Sequence, residues 1–201
     1  MISVIDYDGG NYKSVLNVLK KLKLNFQLTN DYKKIINSKK IILPGVSHFG
    51  YCMNSLKSLD LDKVLNEAAI EKKIYILGIC SGMQVMGAYS EEGETEGLNF
   101  VNGRIKKINS DTSYRVPHMG WNKVETSKNL LFRGILNHSR FYFCHSYHLM
   151  IDNKDAIINY TNYKEKICAA FSYKNIFGVQ FHPEKSNIDG SKLISNFIKM
   201  N

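Results

Sequence analysis

The chain has 201 residues, 44% of them hydrophobic, with four cysteines and a formal net charge of +9 from 27 basic and 18 acidic side chains. That length supplies a full core for one domain over residues 1–201, and the apolar fraction with three prolines excludes a disordered or collagen-like chain. No apolar run reaches the roughly 20 residues that cross a bilayer, no basic segment precedes the apolar start, and the cysteines are too scattered for a zinc site or a disulfide framework, so a cytoplasmic protein without membrane, metal or bound cofactor is expected.

The lysines fall largely as doublets, at 20–21, 33–34, 39–40, 72–73 and 106–107, near the ends of expected elements. No basic stripe interleaved with aromatics is present, so they read as solvated surface and no nucleic-acid partner is expected. A phosphate-bearing substrate or an acidic partner protein suits the charge better.

In chain order, residues 2–7 read as an apolar strand, and Asp8-Gly9-Gly10-Asn11 as a turn in which Asn11 can cap the next helix. Val15, Leu16, Leu19 and Leu22 mark one face of that helix. A short strand over 25–28, a helical turn over 32–36 and a strand over 40–43 follow, then a breaker-rich loop over 44–50. Leu61, Val64, Leu65, Ala68 and Ala69 make the next amphipathic helix, which leads to an apolar strand over 75–79 and a predicted helix over 81–89. Strands alternating with helices predict an α/β fold with an open, mostly parallel central sheet and helices on both faces. After residue 89 an acidic loop over 91–97 precedes β-like segments at 104–108, 122–124, 141–144, 156–160 and 169–173, expected as antiparallel extensions of the sheet. A buried strand over 176–180 and a helix marked by Leu193, Ile194, Phe197 and Ile198 complete the chain. Cys144 and Cys168 lie in apolar runs and read as core.

The chemistry concentrates at Gly78-Ile79-Cys80-Ser81-Gly82. Gly-x-Cys-x-Gly between a strand and a helix is a nucleophile elbow with a thiol in place of the usual hydroxyl. The turn is tight enough that a side chain at Gly78 or Gly82 would crowd the backbone. A sulfur presented at a helix N-terminus sits where unpaired N–H groups favour the nucleophilic thiolate. The same five residues also fit a core cysteine between chance glycines.

A base for that thiol lies in Phe181-His182-Pro183-Glu184. Pro183 biases His182 towards extended backbone, and positions two apart in an extended chain point the same way. Glu184 can then orient the imidazole of His182 while His182 faces Cys80, a Cys-His-Glu triad. Open α/β sheets put their sites at the carboxyl ends of strands, where both groups fall. By itself a His-Pro-Glu run also suits a surface loop. The oxyanion donors of such a site are the N–H of Ser81 and one from the loop after the neighbouring strand, at Gly45 or Val46.

Three runs together, Gly78-Ile79-Cys80-Ser81-Gly82-Met83-Gln84, Pro44-Gly45-Val46 and Gln180-Phe181-His182-Pro183-Glu184, resemble the class I (triad) glutamine amidotransferases. Val116-Pro117-His118-Met119-Gly120-Trp121-Asn122, Tyr142-Phe143 with His145-Ser146-Tyr147, and Lys185-Ser186 narrow the resemblance to the glutaminase subunits of imidazole glycerol phosphate synthase. The resemblance runs from Met1 to the final helix and implies a flavodoxin-like three-layer fold. It implies that Cys80 attacks the carboxamide of glutamine, ammonia leaves, and a glutamyl thioester is hydrolysed. Gln84 and the backbone at His145, Ser146 and Tyr147 would hold glutamine. Ammonia would pass to a separate (β/α)8 cyclase subunit in a heterodimer, with Met119, Trp121, Tyr142 and Lys185 at the interface. There it would convert a phosphoribosyl intermediate, PRFAR, into imidazole glycerol phosphate and aminoimidazole carboxamide ribotide in histidine biosynthesis. Family members are poor glutaminases until the partner's ligand binds, which makes the loop over 44–47 a candidate switch.

The chain departs from the family pattern at Ser47, where glycine is usual, at Ser81, where leucine is usual, and at Asp8-Gly9-Gly10. None of these removes a catalytic group. Three other readings stay open: a paralogue feeding ammonia to another acceptor such as a sugar-amidating synthetase, a stand-alone cysteine hydrolase, and an interaction module with a relic triad. Trp121, the only tryptophan, would suit a core as well as an interface.

Overall fold

The computed structural model describes residues 1–126 and 129–200. Its strands are β1 (Ile2–Ile5), β2 (Phe26–Thr29), β3 (Lys40–Gly45), β4 (Tyr75–Cys80), β5 (Tyr89–Ser90), β6 (Thr95–Glu96), β7 (Gly103–Lys107), β8 (His118–Lys123), β9 (Arg140–His145), β10 (Tyr147–Ile151), β11 (Ile157–Tyr163), β12 (Glu165–Tyr173) and β13 (Ile176–Val179). The α-helices are α1 (Tyr12–Lys21), α2 (Tyr32–Ile36), α3 (Phe49–Ser58), α4 (Leu61–Asn66), α5 (Ser81–Gln84) and α6 (Asn187–Lys199), and α4 runs on into a π-helical stretch, Glu67–Glu71.

A seven-stranded sheet in the order β11-β12-β13-β4-β3-β1-β2 forms the centre. The pairs among β2, β1, β3, β4 and β13 are parallel, while β11 and β12 add antiparallel strands at one edge. Both faces are covered, so the central strands are buried along their length. Their alternate side chains divide between two cores. Ile41, Leu43 and Ile76 meet α3 and α4 on one face, whereas Ile42, Leu77 and Ile79 meet α1 and α6 on the other.

Several local expectations change. The β-like segments after residue 100 do not all extend the sheet. Only β11 and β12 do so; β10-β7-β5-β6 form a second sheet and β8 pairs with β9 as a separate antiparallel ribbon. Helix α3 stands where the sequence suggests a loop followed by uncommitted chain, because His48 caps it by accepting the Gly50 N–H at 3.2 Å. Asn11 occupies the cap position of α1 but makes no side-chain capping bond. The helix after Cys80 stops at Gln84 rather than reaching residue 89. Residues 97–101 cross over that segment, and the N–H groups of Leu98, Phe100 and Asn99 take the carbonyls of Val85, Met86 and Gly87 that a longer helix would have used.

Candidate active site

Cys80 stands at the junction of β4 and α5 with φ 54° and ψ −115°, a left-handed conformation that a non-glycine residue holds only under surrounding constraint. That constraint is visible on both sides. A Cβ at Gly78 would lie 2.5 Å from the Gly82 carbonyl oxygen, one at Gly82 would strike the Leu43 carbonyl, and one at Gly45 would strike the Gly82 backbone. The two strands and the helix start are therefore packed backbone to backbone around the sulfur.

Strand β13 runs parallel to β4 with Val179 opposite Ile79, so the chain beyond it emerges beside Cys80. His182 is 3% exposed with extended backbone, as expected, but Pro183–Lys185 forms a 3-10 turn. The carboxylate of Glu184 thus reaches the imidazole by a turn and not along an extended chain, and Nδ1 of His182 lies 2.8 Å from its Oε1. The other oxygen, Oε2, is buried without a protein partner among the described residues. Burial by itself lowers the His182 pKa; the neighbouring Cys80 and Glu184 outweigh it and hold the imidazole above its ordinary value. An imidazole so placed can hold a proton between a thiol and a buried carboxylate.

A cavity of about 280 Å3 opens over these groups. Cys80, Ser81, Gln84 and His182 line it together with Val46, His145, Ser146 and Tyr147, and Lys185 lines it too. Gly45 does not line it. It lies inside β3, in register with Cys80. The N–H of Val46, expected to face the oxyanion, donates instead to the Gly9 carbonyl at 2.9 Å. The Ser81 hydroxyl donates to the Ser47 carbonyl at 2.7 Å, and the Cys52 thiol approaches the same oxygen at 3.6 Å.

The amide of Gln84 is committed within the protein. Its Nε2 donates to the Tyr147 carbonyl at 2.8 Å and to Oε1 of Gln180 at 2.9 Å. The other expected interface residues do not line this cavity. Met119 (60% exposed) and Trp121 (40% exposed) project from β8, which makes Trp121 a surface and not a core residue. Its ring meets Tyr142 edge-on at 6.2 Å, and the Lys185 ammonium lies 5.7 Å from the Tyr142 ring centroid.

Cys168 is buried as expected, whereas Cys144 is half-buried and lines the cavity, its carbonyl 3.9 Å from the Cys80 sulfur. Glu92 also lines it, with Oε2 on the Phe49 N–H at 2.8 Å. In the sequence Glu92 falls in an acidic loop and in the run Ser90-Glu91-Glu92-Gly93, which adds to the family resemblance, but neither assigns it a place at the site.

One family model, glutamine amidotransferase class-I, matches residues 3–200, and the chain belongs to that family. The fold agrees: the crystal structure of a putative GMP synthase subunit from Thermoplasma acidophilum superposes with a TM-score of 0.73 at 21% identity, over 98% of this chain and 91% of that one. Within the class the chain falls among the HisH subunits of imidazole glycerol phosphate synthase. It is 44% identical to HisH 2 of Methanococcus maripaludis over 99% of each chain, and 42% identical to HisH of Leptospira borgpetersenii over the whole of both.

Proposed function

We propose that this chain is the glutamine-hydrolysing subunit of an imidazole glycerol phosphate synthase, with Cys80, His182 and Glu184 as its catalytic triad. The observation that carries the mechanism is the buried His182, hydrogen-bonded to Glu184 at 2.8 Å and lining one cavity with Cys80 at the strand-to-helix elbow. His182 takes the Cys80 proton as the sulfur attacks the carboxamide carbon, then gives it to the departing amine, so that ammonia leaves and a glutamyl thioester remains. Water activated by His182 cleaves the thioester to glutamate and restores the thiol. Glu184 fixes the tautomer and offsets the charge of the imidazolium. Glu92 supplies a carboxylate for the α-ammonium of glutamine at the cavity wall, with the backbone at His145, Ser146 and Tyr147 opposite.

The oxyanion needs two donors, the Ser81 N–H and one from residues 45–46. With the Val46 N–H on Gly9 the second donor is withheld, so the loop over 44–47 has to turn before the reaction runs well. Docking of a cyclase subunit with its phosphoribosyl ligand is the event assigned to that turn. Met119, Trp121, Tyr142 and Lys185 form the docking face of the heterodimer, and ammonia, which water would protonate, passes directly to the cyclase.

The test is glutamate release by the chain by itself, with the cyclase subunit, and with the cyclase subunit plus its phosphoribosyl ligand. A rise at each addition, abolished in Cys80→Ala, is expected. Glutamate release that stays flat on adding both would remove the histidine-pathway reading, and activity persisting in Cys80→Ala would remove the mechanism.

A further inference from the structure

A line of polar groups leads from the ribbon β8-β9 to the nucleophile. Asn122 Nδ2 lies 3.2 Å from Nε2 of His118, and His118 Nδ1 lies 2.9 Å from Nε2 of His145. Nδ1 of His145 lies 2.8 Å from the Tyr147 carbonyl. That carbonyl also accepts from Gln84, whose Nε2 meets Gln180, and the Gln180 Nε2 points at the Cys80 sulfur at 3.8 Å.

The ends of the line fix every proton in it. A ring nitrogen facing a carbonyl must carry hydrogen, so His145 donates from Nδ1 and accepts at Nε2. His118 must then donate from Nδ1 and accept at Nε2, where the Asn122 amide donates. Both imidazoles are neutral in this arrangement, and both are buried. The His118 ring is held face-on between Phe143 and Tyr163, with centroids 4.7 and 4.0 Å away. Nothing in the triad chemistry uses these groups.

We infer that this line is a positioning device for the glutaminase reaction, in which His118 sets the substrate-holding turn at Tyr147 and Gln180 sets the Cys80 sulfur. His118 and Gln180 are then positioning residues, neither of them handling a reacting proton. The inference rests on the glutaminase reading above. The ribbon has a second tie to the site, since the Tyr142 carbonyl accepts the backbone N–H of His182 at 2.8 Å. Met119 and Trp121 leave the same strand as His118 on its opposite, exposed face.

The experiment uses the complex with the cyclase partner and its phosphoribosyl ligand. His118→Phe keeps a ring between Phe143 and Tyr163 but orphans the His145 acceptor, and a rise of about tenfold in KM for glutamine is expected with kcat little changed. His118→Gln, which again donates and accepts, recovers most of that loss. Gln180→Met is expected to lower kcat about tenfold with little change in KM. Asn122→Ala, at the half-exposed start of the line, gives a smaller rise in KM of about threefold and carries the test if His118→Phe does not fold. A wild-type KM in folded His118→Phe, or equal impairment of the Phe and Gln variants, overturns the inference. Absence of glutamate release by the wild-type complex overturns the glutaminase reading and this inference together.

Discussion

Cys80 combines two features that rarely meet, a thiol at the cavity and a left-handed backbone, and the neighbouring glycines reconcile them. Gly82→Ala would drive a methyl group into the Leu43 carbonyl, so a loss of stability of about 3 kcal/mol or more is expected in urea unfolding. This part of the site is legible in the sequence because close backbone approach leaves only one residue type. Cys144 is not. Its apolar neighbours point to a core, yet it pairs with the exposed Met119 and lines the cavity. The paired histidines make a further prediction. Burial lowers His118 from 6.5 to about 4 and His145 to about 3, the latter helped by the nearby His118. Groups with depressed values contribute their full stability above pH 6.5, and it is lost progressively as pH falls from there, the loss being complete near pH 4 for His118 and near pH 3 for His145. The urea midpoint should therefore fall between pH 7 and pH 5, and fall less steeply in His118→Phe.

Among the elements, the segment 44–47 is held by several separate bonds. Tyr7 donates to the Pro44 carbonyl at 2.7 Å, Val46 to Gly9, and Ser81 to Ser47. Two of the departures from the family pattern, Ser47 and Ser81, are thus partners in one hydrogen bond, which their separate positions in the sequence do not reveal. The double variant Ser47→Gly, Ser81→Ala removes that bond and restores glycine's backbone freedom. An increase of about fivefold in glutamate release without the cyclase partner is expected, with a smaller stimulation when it is added. The length of α5 is equally illegible. Met83, Met86 and Gly87 keep helical spacing, yet residues 97–101 claim the carbonyls, and no periodicity within 81–89 can report a competitor from farther along the chain.

For the whole molecule, alternation of strands and helices over the first eighty residues foretells the parallel sheet. The later strands are visible in the sequence but their sheet is not, because short β segments carry no label for the sheet they join. The proposed docking face has its own test. Trp121→Ala should weaken binding of the cyclase partner by about 2 kcal/mol in calorimetric titration, while leaving the chain folded, since the ring lies on the surface. As the sole tryptophan, it should also shift its emission to shorter wavelength on docking. Phe181, stacked 4.2 Å from Phe141 and packed against Phe132 and Phe143, joins the ribbon, the helical layer and the histidine strand. Phe181→Ala should cost about 4 kcal/mol in thermal or urea unfolding.

The pairing of β13 with β4 bears on synthesis as well as on catalysis. It brings together stretches a hundred residues apart, so a chain still on the ribosome carries Cys80 long before His182, the base of the proposed triad. On the proposed mechanism a nascent polypeptide cannot squander glutamine until Ile176–Val179 has been made and has found its slot, so that pairing doubles as the release of a safety catch.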